Sequence, residues 1–173
     1  ATRQPQYSNL FFGQVKQRLI ITVEVPVIRD GEVLYDISFS PPIEIFQAII
    51  EKQRLNQDWT ISIFDGNGVN LARVPNPEAT IGQRAAPSLF AEMFRRDEAT
   101  LPTVSLEGVP LITGFTRSRV TGWTVAAGIT ENSLVGPLWR TLAITSVIGG
   151  VLLLVGLGFA VRMATTIARG ELL

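Results

Sequence analysis

The run Thr141–Val161, TLAITSVIGGVLLLVGLGFAV, limits this chain more than any other feature. It carries no charge between Arg140 and Arg162. At 1.5 Å per helical residue its 21 residues span about 31 Å, the thickness of a bilayer's hydrocarbon core. A helix in a water-soluble domain would normally show a polar face, and this one shows none. The segment therefore reads as a transmembrane helix. It also explains a mean hydropathy of +0.28, which is high for a soluble domain. Trp139 and Arg140 suit an interfacial anchor on one side, and Arg162 suits one on the other. Arg162 and Arg169 follow the run closely, whereas Arg140 alone lies close before it. The positive-inside rule then places the C-terminus in the cytoplasm and the bulk of the chain outside.

Composition excludes several functions. Fifteen basic residues balance fifteen acidic ones, so no cationic excess exists to neutralise nucleic-acid phosphates. Cysteine and histidine are both absent. Disulfides, thiol nucleophiles, Cys/His zinc sites, Ser-His-Asp triads and a phospho-accepting histidine are thereby excluded within the chain. The chain opens Ala1-Thr2-Arg3 with no apolar signal region and stops soon after the apolar run. It is expected to be an excerpt of a longer membrane protein.

The remaining sequence reads as α+β. Leu19–Ile28 and Val33–Phe39 are rich in β-branched and aromatic residues, and Asp30-Gly31 between them predicts a tight hairpin. Pro26 marks an edge or a bulge. Ser40 and Pro41 suit the N-cap and first position of a helix running to about Leu55, with Ile43, Phe46, Ile49 and Ile50 at helical spacing. A second β unit starts at Trp59: Thr60–Phe64 and Val69–Arg73 flank the turn Asp65-Gly66-Asn67-Gly68. A short helix over Ser88–Arg95 follows, then strands Thr100–Leu106 and Val109–Thr116 in a hairpin around Glu107-Gly108, and a last strand at Trp123–Ile129. This order predicts a five-stranded antiparallel sheet with helices on one side. Glu131–Arg140 leads into the membrane run, with Pro137 a candidate kink.

Little of this offers catalysis. Asp65-Gly66-Asn67-Gly68 lacks the further acidic ligands of a calcium loop and is too short for a phosphate loop. Glu24, Asp36 and Glu44 form no recognisable acid/base pair. No cofactor, metal or enzymatic activity is expected. Arg73, Thr113, Thr116 and Arg117 lie on or beside strands of the second unit, and Arg84 in its loop. A sheet face with arginines and hydroxyls suits a small carboxylate. Trp59 and Trp123 read as core or capping residues.

The ordered set Val23–Pro42 (VEVPVIRDGEVLYDISFSPP), Asp58-Trp59 before TISIFDGNGVNLAR, Ile81-Gly82-Gln83, LEGVPLITGFTRS and Gly122-Trp123-Thr124-Val125 resembles the extracytoplasmic double Cache (PAS-like) sensor region of bacterial transmembrane receptors. Sensor histidine kinases of alphaproteobacteria are the most similar in style. The resemblance covers about Gln4 to Arg169. It implies that residues 1–40 are the rear part of a membrane-distal module. Residues 41–56 would be a connecting helix, 59–130 the membrane-proximal module, 131–140 a juxtamembrane segment and 162–173 the start of a cytoplasmic linker. In such receptors the distal module usually holds the ligand, and Tyr35 and Asp36 would lie on a strand lining that pocket.

The expected function is therefore signal sensing outside a bacterial inner membrane, relayed through the membrane helix to a cytoplasmic effector. A histidine kinase is the leading effector, with a diguanylate cyclase or chemoreceptor as alternatives. A membrane-anchored assembly protein with no ligand is the competing class. Ser146, Gly149, Gly150, Gly156 and Ala160 form a face of small residues on the membrane helix. The pairs Ser146/Gly150 and Gly156/Ala160, four apart, allow close helix approach and a homodimer. Replacing Gly150 and Gly156 with leucine should weaken self-association in a membrane two-hybrid assay, and an unchanged signal would refute the packing role.

Overall fold

The structure, a computed structural model, describes residues 3–53, 56 and 58–170, by backbone alone at 135, 137, 138, 140, 161 and 164–170. Two compact units divide the chain, Ala1–Glu131 and Asn132–Leu173.

The first unit opens with short strands β1 (Gln6–Tyr7), β2 (Phe11–Gly13) and β3 (Arg18–Ile20). The long hairpin β4 (Val23–Arg29) and β5 (Glu32–Phe39) follows. Its turn residues Asp30 (φ 51°) and Gly31 (φ 82°) are both left-handed, as a two-residue hairpin requires. β1, β4 and β5 form one antiparallel sheet, and β2 and β3 a two-stranded ribbon. The single strand expected over Leu19–Ile28 is instead two strands, β3 and β4. Between them Ile21 turns inward to pack with Leu71 and Trp123, while Thr22 and Ser8 exchange hydrogen bonds. Pro26 tolerates its place in β4 because β1 pairs only with Val23 and Glu24, and a register shift follows at Val27/Ile28. Tyr35, Ile37 and Phe39 on β5 are 69%, 62% and 63% exposed.

Helix α1 (Glu44–Glu51) starts later than the Ser40 cap predicts, with Ile43 as its N-cap. Pro42 disfavours helical geometry in the residue before it, so the helix starts only after the two prolines. Ser40 Oγ lies 3.1 Å from Thr22 Oγ1 instead of capping the helix. The expected end near Leu55 falls outside the described residues.

The second sheet comprises β6 (Trp59–Phe64), β7 (Asn70–Val74), β8 (Glu98–Val104), β9 (Pro110–Arg117) and β10 (Thr124–Thr130). Every pairing is antiparallel, in the order β7-β6-β10-β9-β8. Helices α2 (Pro77–Thr80) and α3 (Pro87–Met93) lie between β7 and β8 in sequence. The helices do not share one side, which corrects the sequence expectation. Leu89 and Met93 of α3 pack with Phe64, Phe115 and Ala126 on one face. Phe46 of α1 packs with Leu71, Trp123 and Ile63 on the other. Ile63 and Phe64 are successive strand residues and so point to opposite faces. Trp123 meets the Phe46 ring edge-on at 5.4 Å between centroids, in keeping with its reading as a core residue.

One carboxylate ties these parts together. Asp65 is 2% exposed. Its Oδ1 accepts the Asn67 and Val69 N–H groups at 2.9 and 2.8 Å, which closes the β6–β7 turn. Its Oδ2 accepts the Leu10 N–H at 2.9 Å. Asn9 Oδ1 accepts the Gly66 N–H at 2.9 Å. The chain's N-terminal segment is thus fastened to the turn of the second sheet.

The other unit is helical. α4 (Glu131–Gly170) follows β10 with no intervening residue and is continuous across Pro137. Residues Thr141–Ala160 within it are long and apolar enough to cross a membrane, with a mean hydropathy of 2.3. That matches the segment read from sequence, short of Val161.

Asp65→Ala strands three N–H donors that hydrogen-bond an ionised group. It should lower the unfolding free energy by about 2–4 kcal/mol in urea denaturation, and a change below about 0.5 kcal/mol would show that the turn closes without it.

Candidate functional site

Side chains alternate across the second sheet, so residues two apart share a face. Directly paired residues share one too, and the register brings Thr60 and Thr113 to either side of Gly128. Ser62 stands opposite both Ala126 and Arg73. Thr103 stands opposite Leu111, next along β9 on the same face. The result is a cavity of about 30 Å³ beneath α3, lined by the Thr60, Ser62, Thr103 and Thr113 hydroxyls, Arg73 and apolar neighbours. That volume is enough for one or two water molecules.

Arg73 dominates the cavity electrostatically. It is 4% exposed, and an isolated charge so deep would be costly. Its Nη2 donates to Glu107 Oε2 at 2.6 Å. Glu107 comes from the β8–β9 turn and is partly exposed. Arg73 Nε is buried and has no hydrogen-bond partner. The Arg73 backbone N–H donates to Gln47 Oε1 of α1 at 3.0 Å, which satisfies this position on the edge strand β7. The Thr103 and Thr113 hydroxyl oxygens lie 2.7 Å apart.

Gly128 permits a close approach of its neighbours. A Cβ there would stand 2.8 Å from Thr113 Oγ1 and 3.0 Å from Leu111 Cδ1. A side chain at this position would collide with Thr113 and Leu111.

Of the sequence candidates, Arg73 and Thr113 meet in this cavity. Arg117 does not join them. At the far end of β9 its Nη2 donates to the Met93 carbonyl oxygen, and its guanidinium lies 5.2 Å from the Phe94 ring centroid. It works as a strut between β9 and α3. Thr116 is exposed on the opposite sheet face. Arg84 sits over the Phe90 ring at 5.7 Å. Tyr35 and Asp36 stand exposed on β5, in the first sheet. Gly149, Gly150 and Gly156 on α4 have open space where a Cβ would be.

Sequence reasoning missed Glu107, Thr60, Ser62, Thr103 and Gly128. Glu107 reads only as half of a Glu-Gly turn. The hydroxyls carry a signal in their period-two spacing at inward positions, as Thr60/Ser62 shows, but their convergence depends on cross-strand register.

No family model matches this sequence, and no curated protein matches it. Solved structures do match in fold. The extracellular domain of rpHK1S-Z16, described as a histidine kinase, aligns with a TM-score of 0.61 at 16% identity, covering 78% of this chain and 56% of that domain. The periplasmic sensory domain of the Campylobacter jejuni chemoreceptor Tlp1 gives 0.64 at 10%, covering 79% and 53%. The ligand-binding domain of the Pseudomonas aeruginosa PAO1 amino-acid chemoreceptor PctB, solved with L-Arg, gives 0.56 at 12%, covering 76% and 56%. The chain therefore has the α+β fold of extracytoplasmic, Cache-like sensor domains. It spans a little over half the length of the domains it matches.

The Glu107 carboxyl is held below its ordinary value of 4.5. Burial pushes it up, but the Ser105 hydroxyl, the backbone N–H and the Arg73 guanidinium outweigh burial. A depressed carboxyl contributes stability that is present above the unfolded value and is lost as pH falls through the folded one. Thermal unfolding from pH 7 down to about pH 3 should therefore cost wild type more than Glu107→Gln. Parallel acid limbs for the two proteins would refute the carboxyl's contribution.

Proposed function

We propose that this chain is the extracytoplasmic signal-sensing region of a bacterial inner-membrane receptor. Residues 1–140 lie in the periplasm, the apolar part of α4 crosses the membrane, and the C-terminus is cytoplasmic. Residues 59–130 form the membrane-proximal sensor module, and residues 1–40 belong to a membrane-distal one joined to it through 41–56. A small-molecule ligand alters these modules, and α4 passes the change to a cytoplasmic effector, a histidine kinase or a chemoreceptor. The receptor works as a homodimer, with the small residues of α4 at the helix contact. Chemistry in the parent protein lies in that effector.

One observation carries this reading: a sensor-type five-stranded sheet ends in β10, and the next residue starts a helix containing a bilayer-length apolar stretch. Domains of the same fold have been solved with asparagine, L-leucine and L-Arg. That precedent favours a small polar ligand over a macromolecular one. Tyr35 and Asp36, exposed on β5, are the side chains this reading offers to a distal ligand.

The test joins the chain, behind an export signal, to the cytoplasmic part of a histidine kinase with a transcriptional reporter. Output should change with one class of metabolite among amino acids and small carboxylates. Constant output across the panel, with the chimaera shown to be inserted, would overturn the sensor reading. Alkaline phosphatase fused after Leu173 should be inactive, since that end lies in the cytoplasm.

A further inference from the structure

We propose that the Arg73–Glu107 ion pair is a releasable strap across the five-stranded sheet, and that α1 sets it through the positioning residue Gln47. The proposal rests on the sensor reading above for its role in signalling, and it adds a regulated contact inside the chain.

The strap spans the sheet. β7 is one edge strand and β8 the other, with β6, β10 and β9 between them. Arg73 belongs to β7 and Glu107 to the turn between β8 and β9. At about 4.8 Å per strand, β7 and β9 lie roughly 14 Å apart. Two long side chains close that gap, and Arg73 Nη2 meets Glu107 Oε2 at 2.6 Å. The row beside Arg73 is low: Ser62 stands opposite it on β6, and Ala126 opposite Ser62 on β10.

Arg73 is also held from the other side. Its backbone N–H donates to Gln47 Oε1 at 3.0 Å. Gln47 Nε2 donates to Glu51 Oε1 at 2.9 Å, which fixes the orientation of the amide. α1 lies on the face opposite the Arg73 side chain, where Phe46 packs with Ile63, Leu71 and Trp123. One residue therefore joins two parts that do not touch through it otherwise: its main chain answers to α1 and its side chain to the β8–β9 turn. A displacement of α1 along β7 moves the base from which the guanidinium reaches.

The contact has two states because half of it cannot survive alone. Nη2 holds the carboxylate, while Nε is buried with no partner, so no second bond bridges a small displacement. Glu107 is partly exposed and finds water on leaving. Arg73 is 4% exposed, and a buried charge stripped of its partner is strongly unfavourable. Release of Glu107 therefore drives the guanidinium out as well. The strap is closed or open, with no stable half-way form. β9 pairs along its length with β10, the strand that runs directly into α4.

The experiment is hydrogen exchange by mass spectrometry on the full chain in nanodiscs, read as protection in the β8–β9 turn. Glu107→Ala should lower protection there about tenfold, and Gln47→Ala about threefold although Gln47 lies on α1. The double variant should exchange no faster than Glu107→Ala alone, since Gln47 acts only through the strap. Ile49→Ala, at a half-exposed position on the same helix, should leave the turn unchanged. Retained protection in β6 and β10 shows that each variant is folded. If Glu107→Ala loses it, Glu107→Asp, which keeps the charge and shortens the reach, takes its place. Turn protection unchanged by the Glu107 variant overturns the strap. Protection unchanged by Gln47→Ala, effects that multiply in the double variant, or an equal effect from Ile49→Ala overturns control by α1. The sensor reading would survive any of these results, because the exchange is measured without an effector and the chimaera reports signalling by any internal route.

Discussion

The first unit depends on a single buried carboxylate accepting three backbone N–H groups. Asp65 closes the β6–β7 turn with one oxygen and fixes Leu10 with the other. Without it the N-terminal segment and the five-stranded sheet would share the Gly66–Asn9 hydrogen bond and side-chain packing, through Leu10 and Ile21 against Leu71 and Trp123. A carboxylate with its hydrogen bonds filled is directional in a way that apolar contact is not. Placing it at a turn means that strand register and the attachment of the N-terminal segment are set at one point. The same Asp65-Gly66-Asn67-Gly68 segment invites a metal-loop reading in sequence, and its carboxylate oxygens are spent on backbone.

Arg73 presents the opposite case. Asp65 is buried and satisfied, whereas Arg73 is buried and half satisfied. Its carboxylate partner comes from a turn at the rim, and one of its donors faces no acceptor. A structural ion pair selected for stability alone would be expected to fill that fork. Arg117 also leaves a buried Nε without a partner. Its head, however, is held by a main-chain carbonyl and an aromatic ring.

Much of the architecture was legible in the sequence because its punctuation is local. Asp30-Gly31, Gly66-Asn67-Gly68 and Glu107-Gly108 each mark a turn that the chain makes, and the strands between them follow from alternation. The apolar run declares itself by length and absence of charge. The errors came where tertiary packing outweighed local preference. Ser40 looks like a helix cap, but Pro42 delays the helix and Thr22 takes the hydroxyl. Leu19–Ile28 looks like one strand, but Ile21 is drawn into the core. Arg73 and Thr113 could be nominated as polar strand residues. Their meeting could not, because β7 and β9 are separated by β6 and β10 in the sheet. The acidic partner was hidden for a related reason: a turn glutamate carries no mark of the buried charge it neutralises.

Gly128 shows where the tuning of such a cavity resides. It contributes no functional group, yet its lack of a side chain lets Thr113 and Leu111 close in on the strand where a Cβ would stand. The shape of the chamber at this spot is therefore written as an omission. A single added methyl would stand 2.8 Å from the Thr113 hydroxyl oxygen and force Thr113 and Leu111 aside without adding a charge. Descendants of this sequence could change the chamber's shape while every polar lining residue stayed the same. Comparing polar residues alone would score such proteins as identical, and the difference between them would lie in a position that has nothing to compare.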